Sequence, residues 1–329
     1  MKGVMYVIFL ILLLFIGVPL AVGLTLCDVE NNNNVEWTSQ KIEAPNKIKI
    51  WNEAKEKVEK INFEEYVCNV VASEMPSSFD KEALKAQAVA SRTYAMAKIM
   101  RHQGHESDVH PKAPVCNTTH CQVYKTKREL VKAHGEEWEK DGYDKIKAAC
   151  KETEGQMLYY DGKLVTQPLF FSSSGGQTEN SEDVFSDEYP YLVSVSSMYE
   201  GGASHKNEQK CFDIEEFAEK INCCYTDRNT GKIGSNDIKI LSRTAGGRVD
   251  RIQIGKSIYK GTEVRTALEL SSTLFSVTVK DDEVVITSNG YGHGVGMSQY
   301  GANGMAKEGW TYKEILTHYY QNCKIEKLS

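Results

Sequence analysis

From Gly3 to Leu26 the chain carries no charged residue. These 24 residues, wound as a helix, are long enough to cross a hydrocarbon core of roughly 30 Å. Lys2 precedes the run, and Asp28 and Glu30 follow it. A positive residue stays on the cytoplasmic side, so everything after the run is expected outside the cytoplasm. The alternative is a cleaved signal peptide. The run exceeds the usual apolar stretch of such a peptide, and no convincing small-x-small site precedes Cys27. Bulky Leu26, directly before Cys27, argues against lipid attachment there. We therefore read residues 1–26 as a cytoplasmic stub and a transmembrane anchor. Residues 27–47, with the run Asn31–Asn34, read as a linker, and residues 48–329 as the folded catalytic domain.

The rest of the chain has an ordinary globular composition, 41% hydrophobic and 26% charged. A core can form and bulk disorder is excluded. The net charge of −6 argues against nucleic acid as the partner. No internal repeat and no second linker interrupt the apolar periodicity. Nine cysteines leave at least one unpaired or bound to metal. Cys211 and the vicinal pair Cys223 and Cys224 are candidates for disulfides with no assignable partner.

Apolar spacing predicts a strand at Ile48–Trp51 and a helix that Asn62 caps, with Glu65 at its third position. That helix runs to about Met75, where Pro76 forbids continuation. Asp80 opens a second, alanine-rich helix to about Arg101. Further helices are expected over 144–154 and 311–320. Strands are expected over 165–171, 238–242, 249–255, 275–280 and 283–288. Helices and strands mix without a βαβ rhythm, so the expected fold is α+β, in two lobes around a substrate cleft.

Val67, Val70, Val71 and Glu74 fall at i, i+3, i+4 and i+7 and share one helical face. A carboxyl at the end of an apolar stripe has its ionised form disfavoured, as a general acid near neutral pH requires. The plain alternative is a helix-end glutamate that turns to solvent or pairs with Arg92. In the next helix Lys85 and Arg92 share a face, and Gln87, Ser91 and Tyr94 form another row. These are a sugar-binding face or a solvated basic stripe. Ser173, Ser174, Gln177 and Thr178 lie in a Ser/Gly-rich segment that suits either a sugar-binding loop or a tight turn. His293 stands among the alternating glycines of Gly290–Gly296, followed by Gln299 and Tyr300. The sequence lacks the lysine of a phosphate loop and the spacing of a dinucleotide loop. These three residues contact a ligand or pack under the cleft. His110, Cys116, His120 and Cys121 fall within twelve residues. They offer the donors of a structural zinc site. A Cys116–Cys121 disulfide is the competing reading.

Four segments occur in order: VVASEMP at 70–76, EALKAQAVASRTYA at 82–95, FFSSSGGQTEN at 170–180 and GYGHGVGMSQYGANGMA at 290–306. Together they resemble the stage II sporulation protein D family over roughly residues 48–325. The resemblance implies a lytic transglycosylase that cuts peptidoglycan glycan strands stripped of stem peptides during forespore engulfment. It implies Glu74 as acid/base, Lys85 and Arg92 in the functional helix, and the Ser/Gly loop at the cleft. It raises the standing of His293 without giving it a role. Some members of the family hold zinc near the Cys/His cluster. The implied partners are the sporulation amidase stage II sporulation protein P and the membrane protein stage II sporulation protein M. The implied location is the mother-cell membrane facing the forespore septum. Related proteins in the wider superfamily enhance wall amidases, so a non-catalytic wall-binding module is the rival reading. A scaffold that tethers a partner through residues 1–47 is a third.

The charge asymmetry around residues 3–26 makes a direct prediction. A reporter fused after Ser329 is active only outside the cytoplasm. Activity of that fusion inside the cytoplasm would overturn the topology.

Overall fold

The computed structural model describes residues 44–102, 112–185 and 187–327. Residues 1–43, which include the expected anchor and most of the linker, and His110 lie outside the described residues. No described helix is long and apolar enough to cross a membrane. The described residues form one compact unit of mixed α and β structure, with two separate hydrophobic cores.

The first core begins with a hairpin, β1 (Lys47–Asn52) and β2 (Lys57–Asn62), paired antiparallel. Asn62 ends β2 and caps α1 (Phe63–Glu74) by accepting the N–H of Glu65. This is the cap that the sequence predicts. Met75 closes α1 in an extended conformation, as Pro76 demands of the residue before it. The second helix, α2 (Lys81–His102), starts where Asp80 accepts the N–H of Glu82. Next come β3 (Val115–Cys116), α3 (Lys127–His134) and α4 (Asp144–Glu152). β3 lies parallel to β1, with Trp51 opposite Cys116. β4 (Gln156–Tyr160) pairs with the short β5 (Lys163–Leu164).

Helix α2 is the axis of this core. Every residue from Ala83 to Ala97 except Lys85 is buried. Its alanines let α1, α4 and β4 approach from different sides, since a methyl group sets the closest interhelical spacing. The expected strand over 165–171 is a correction: only β6 (Phe170–Phe171) forms there. Pro168 has no N–H to give a ladder. The N–H of Gln167 goes instead to the Tyr191 hydroxyl. A short helix, α5 (Ser181–Phe185), follows.

The second core is built from residues 208–288. It holds β7 (Glu208–Asp213), α6 (Ile214–Cys224), β8 (Ile238–Arg243), β9 (Val249–Ile254), β10 (Ser257–Lys260), α7 (Gly261–Ala267), β11 (Phe275–Lys280) and β12 (Glu283–Ser288). They form two three-stranded antiparallel sheets, β10-β9-β8 and β11-β12-β7. Ile252, Ile254, Val284 and Ile286 fill the core, alternating with outward neighbours as antiparallel strands require.

The chain then returns to the first core. β13 (Met297–Ser298) pairs parallel with β6, and α8 (Gln299–Lys307), α9 (Tyr312–Tyr319) and β14 (Cys323–Lys327) follow. β14 joins β4 and completes the sheet β14-β4-β5. The residues that close the first core are therefore more than a hundred positions from those that open it. Each of the eight described cysteines carries a free thiol.

Arg92 is fully buried in α2 and holds Glu64 of α1 in a two-pronged pair, Nε to Oε1 at 2.8 Å and Nη2 to Oε2 at 2.7 Å. Its nitrogens also reach the carbonyls of Ala88, Cys150 and Gln156. One guanidinium thus ties α1, α2, α4 and β4. Glu64→Ala leaves that buried charge without its counter-ion, so it should lower unfolding free energy by about 3 kcal/mol. Urea denaturation checks this, and an unchanged midpoint would refute the role.

Candidate active site

Glu74 ends α1 behind Val67, Val70 and Val71, all fully buried, and next to buried Met75. The predicted stripe exists, and it carries the carboxyl to a half-buried position. Burial pushes the Glu74 pKa up from the ordinary carboxylate range, against a lesser pull from the Val123 N–H. That N–H donates to Oε1 at 2.6 Å. The Glu74 carboxylate makes no ion pair among the described residues. The pairing of Glu74 with Arg92 is thus replaced by Glu64 with Arg92.

The loop that carries Val123 is stitched to the end of α1. The Lys125 N–H reaches the Ser73 hydroxyl, which itself donates to the Asn69 carbonyl. Tyr124 stacks on Tyr66 at 5.6 Å, and Gln122 donates to the Ser91 carbonyl of α2. Sequence spacing missed Val123, because a backbone donor leaves no mark on residue type.

The nearby acids are committed elsewhere. Asp80 caps α2. Glu82 pairs with Lys85 at 2.6 Å and accepts the N–H of Tyr312. Lys85 also pairs with Glu152 at 2.8 Å. Lys85 is therefore one member of an acidic and basic cluster between α2 and α4. Arg92 is a correction: it is fully buried and saturated by Glu64 and three carbonyls. The shared face is half-buried at Lys85 and fully buried at Arg92, so Arg92 has no exposed surface to offer a substrate.

The Ser/Gly loop and the glycine loop come together through the β6–β13 pair. Ser173 and Tyr291 exchange backbone hydrogen bonds, and the Glu179 N–H reaches the Gly294 carbonyl. Glu200, buried and unmarked by any sequence motif, organises the junction. It accepts the N–H groups of Ser174 and Gly175 at 2.8 and 2.9 Å, the Ser197 hydroxyl at 3.0 Å and the Ser298 hydroxyl. A second buried pair, Arg248 with Glu179 at 3.5 Å, lies beneath. Arg248 also donates to the Ser174 carbonyl and the Ser272 hydroxyl. Gly294, at φ 91°, would place a Cβ 2.5 Å from the Arg248 guanidinium, and Gly296, at φ 81°, 2.1 Å from the Leu169 carbonyl. Those two contacts explain glycine at both positions.

The loop side chains named from sequence face these internal partners. Ser173 and Ser174 are buried, and Ser174 accepts the Gly176 N–H. Gln177 donates to Ser194, and Thr178 exchanges hydrogen bonds with the Val195 backbone. Gln299 is buried and donates to Gln87 of α2, which donates to Ser91. Tyr300 is half-buried, edge-on to Phe79 at 5.0 Å, in the α1–α2 connection that begins at Glu74.

His293 is a second correction. Its Nδ1 accepts the Val295 N–H at 3.1 Å, which places the proton on Nε2, and Nε2 donates to the Phe170 carbonyl at 3.1 Å. The ring lies between Phe171 and Phe185. Burial pushes its pKa down to about 4, so the ring is neutral. Both nitrogens are spent on backbone, and the histidine is a structural member of the loop.

Cys116, His120 and Cys121 place their donor atoms within 4.8 Å of one another. The His120 Nδ1 is 3.5 Å from the Cys121 sulfur and 4.0 Å from that of Cys116. The hydrogen bond from Cys121 pushes the Cys116 thiol down to about 4, and the same contact pushes Cys121 up. The pair shares one proton and offers one thiolate. Two sulfurs and an imidazole fit zinc. His110, the fourth residue predicted, lies outside the described residues.

The family described as "Stage II sporulation protein" matches residues 52–160. Stage II sporulation protein D of Bacillus subtilis is 38% identical over 286 residues, which covers 86% of this chain and 80% of that protein. Its counterpart in Bacillus amyloliquefaciens is 37% identical over 87% of this chain and 80% of that protein. The chain belongs to the stage II sporulation protein D family. An amidase enhancer of Bacillus subtilis is 30% identical over 78% of this chain but only 39% of its own length. The span matched to the sporulation family holds Glu74, Val123 and the Cys/His cluster, while the Ser/Gly and glycine loops lie beyond it.

Elemental analysis of the purified full chain should find about one zinc per chain, since a tetrahedral Cys/His set takes one ion. A Cys116→Ser, Cys121→Ser double variant should contain none. Zinc retained by the double variant would refute the assignment.

Proposed function

We propose that this member of the sporulation family is a lytic transglycosylase, cutting β-1,4 MurNAc–GlcNAc bonds of peptidoglycan strands stripped of stem peptides. The observation that carries the reading is the environment of Glu74. It is a half-buried carboxyl with a raised pKa and, among the described residues, no cation paired with it and a single backbone donor. Burial favours the protonated form, which suits the first half-reaction: Glu74 gives its proton to the glycosidic oxygen as the C1–O bond breaks. The Val123 N–H favours the carboxylate, which suits the second. Glu74 takes the proton from the C6 hydroxyl, whose oxygen closes on C1. The product ends in 1,6-anhydro-MurNAc, and no water is consumed. One carboxyl serves both steps, whereas a hydrolase of the ordinary kind needs two.

The same reading places the protein in the mother-cell membrane, anchored by residues 3–26, with residues 48–329 facing the forespore septum during engulfment. Stage II sporulation protein P would supply peptide-free strands, and stage II sporulation protein M would hold the two together. Zinc at Cys116, His120 and Cys121 would be structural and fix the loop two residues before Val123. A second reading, a non-catalytic enhancer of a wall amidase, is favoured by the likeness to the amidase enhancer.

Glu74→Gln keeps the size of the side chain but has no proton to give. It should lower cleavage about 10²–10⁴-fold while glycan binding survives. Mass spectrometry of wild-type digests should find ends one water lighter than reducing ends. Reducing ends would point to a hydrolase, and a fully active Glu74→Gln protein would remove Glu74 from the reaction. No cleavage by wild type, with an amidase stimulated instead, would establish the second reading.

A further inference from the structure

The second core brings a cavity of its own. It lies where α7 and the residues after it meet the glycine loop, and it has a volume of about 380 Å³. Thr262, Arg265, Thr266, Glu269, Leu270, Ser271 and Tyr291 line it. None of these except Tyr291 belongs to the loops already described.

Arg265 is the feature to explain. It is half-buried, and its Nε donates to the Leu270 carbonyl at 3.2 Å. Among the described residues, its two terminal nitrogens have no hydrogen-bond acceptor and no carboxylate lies within ion-pair distance. The neighbouring acids make no ion pair with it. Glu208 accepts the Ser271 hydroxyl and pairs with His205. Glu269 lines the cavity as well, but it is exposed and makes no ion pair with Arg265. The nearest cation, Arg248, has its own buried counter-ion in Glu179. An arginine desolvated without a partner is costly. The cost is met when the counter-ion arrives with a ligand, and a guanidinium receives a carboxylate through two parallel hydrogen bonds.

Tyr291 forms the other wall. Its ring is 47% exposed and is held by His205 at 4.5 Å between centroids. A fixed aromatic face beside a cation suits a ring that is apolar on one face and anionic at one substituent. We propose that this cavity binds a carboxylate-bearing pyranose, with Arg265 taking the carboxylate and Tyr291 packing against the C–H face of the sugar. The identity of the sugar rests on the peptidoglycan reading. In a strand freed of stem peptides, each muramic acid carries a lactyl carboxylate, and a peptide-bearing strand has an amide there. The cavity therefore reads the absence of the peptide.

The test uses the full chain in detergent with Glu74→Gln, so that binding is measured without turnover. The probes are N-acetylmuramic acid and N-acetylglucosamine, which differ by the lactyl carboxylate, and affinities come from ligand-observed NMR titration. N-acetylmuramic acid should bind about tenfold tighter, the size of one charge-assisted hydrogen-bonded contact. Arg265→Gln should abolish that preference and leave the thermal midpoint unchanged. Arg265→Lys keeps the charge without the fork and should retain part of the preference. Tyr291→Ala should weaken both sugars alike. Equal binding of the two sugars, or a preference that survives Arg265→Gln, would overturn the proposal. So would competition by inorganic phosphate as effective as that of N-acetylmuramic acid, which would show a general anion site. Failure of the transglycosylase reading is seen separately, as the absence of anhydro ends from the wild-type protein, and leaves this binding difference standing.

Discussion

The buried guanidinium of Arg92 is the constraint on which the first core depends. Helix α2 is surrounded by other elements, and alanine makes that possible by keeping its surface narrow. A helix of alanines packs closely but specifies little, because methyl groups fit many registers. Arg92 supplies the missing specificity. Its planar fork accepts one position of Glu64, and its remaining donors fix the carbonyls of Cys150 and Gln156. Helix α1 therefore cannot slide along α2, and Glu74, at the far end of α1, inherits a fixed position.

A second pair of buried charges does the same for the loops. Glu200 gathers two backbone N–H groups and two hydroxyls from three separate segments. Arg248 and Glu179 join the hairpin before β9 to the Ser/Gly loop. Glu200 is satisfied by backbone and hydroxyl donors, whereas Glu179 and Arg248 hold each other by charge, with both Glu179 oxygens and the Arg248 Nε left without a hydrogen bond among the described residues. The alternating glycines are the complement of this arrangement. They let the chain pass over Arg248 and Leu169 at distances that no side chain allows. The loops are thus built from within, and their polar residues serve the junction more than the solvent.

Glu74 shows how opposing small effects set the pKa of one carboxyl. The valine stripe and Met75 remove water and raise its pKa, while Val123 donates one hydrogen bond that tempers the rise. The loop bearing Val123 is the one that brings Cys116, His120 and Cys121 together. The geometry of the carboxyl and the geometry of the cysteine cluster are in this way properties of a single short loop.

The amino-acid sequence by itself determined the local features. Asn62 and Asp80 marked the starts of α1 and α2, Pro76 marked the stop, and the valine spacing pointed at Glu74, because caps and helical faces depend on residues a few positions apart. The Cys/His density marked its cluster for the same reason. What only the tertiary structure decided were the partners of charged and polar groups. Lys85 and Arg92 have the spacing of an exposed stripe, yet the packing of α1 and α4 buried Arg92 and left only Lys85 part-exposed. His293 has the setting of a ligand-binding histidine, yet its ring N–H donates to the carbonyl of Phe170, over a hundred residues away. Glu200, Val123 and Arg265 left no local signal, since their roles arise from segments brought together across the chain. Pairing of distant groups depends on the whole fold, and nothing in a window of a few residues encodes it.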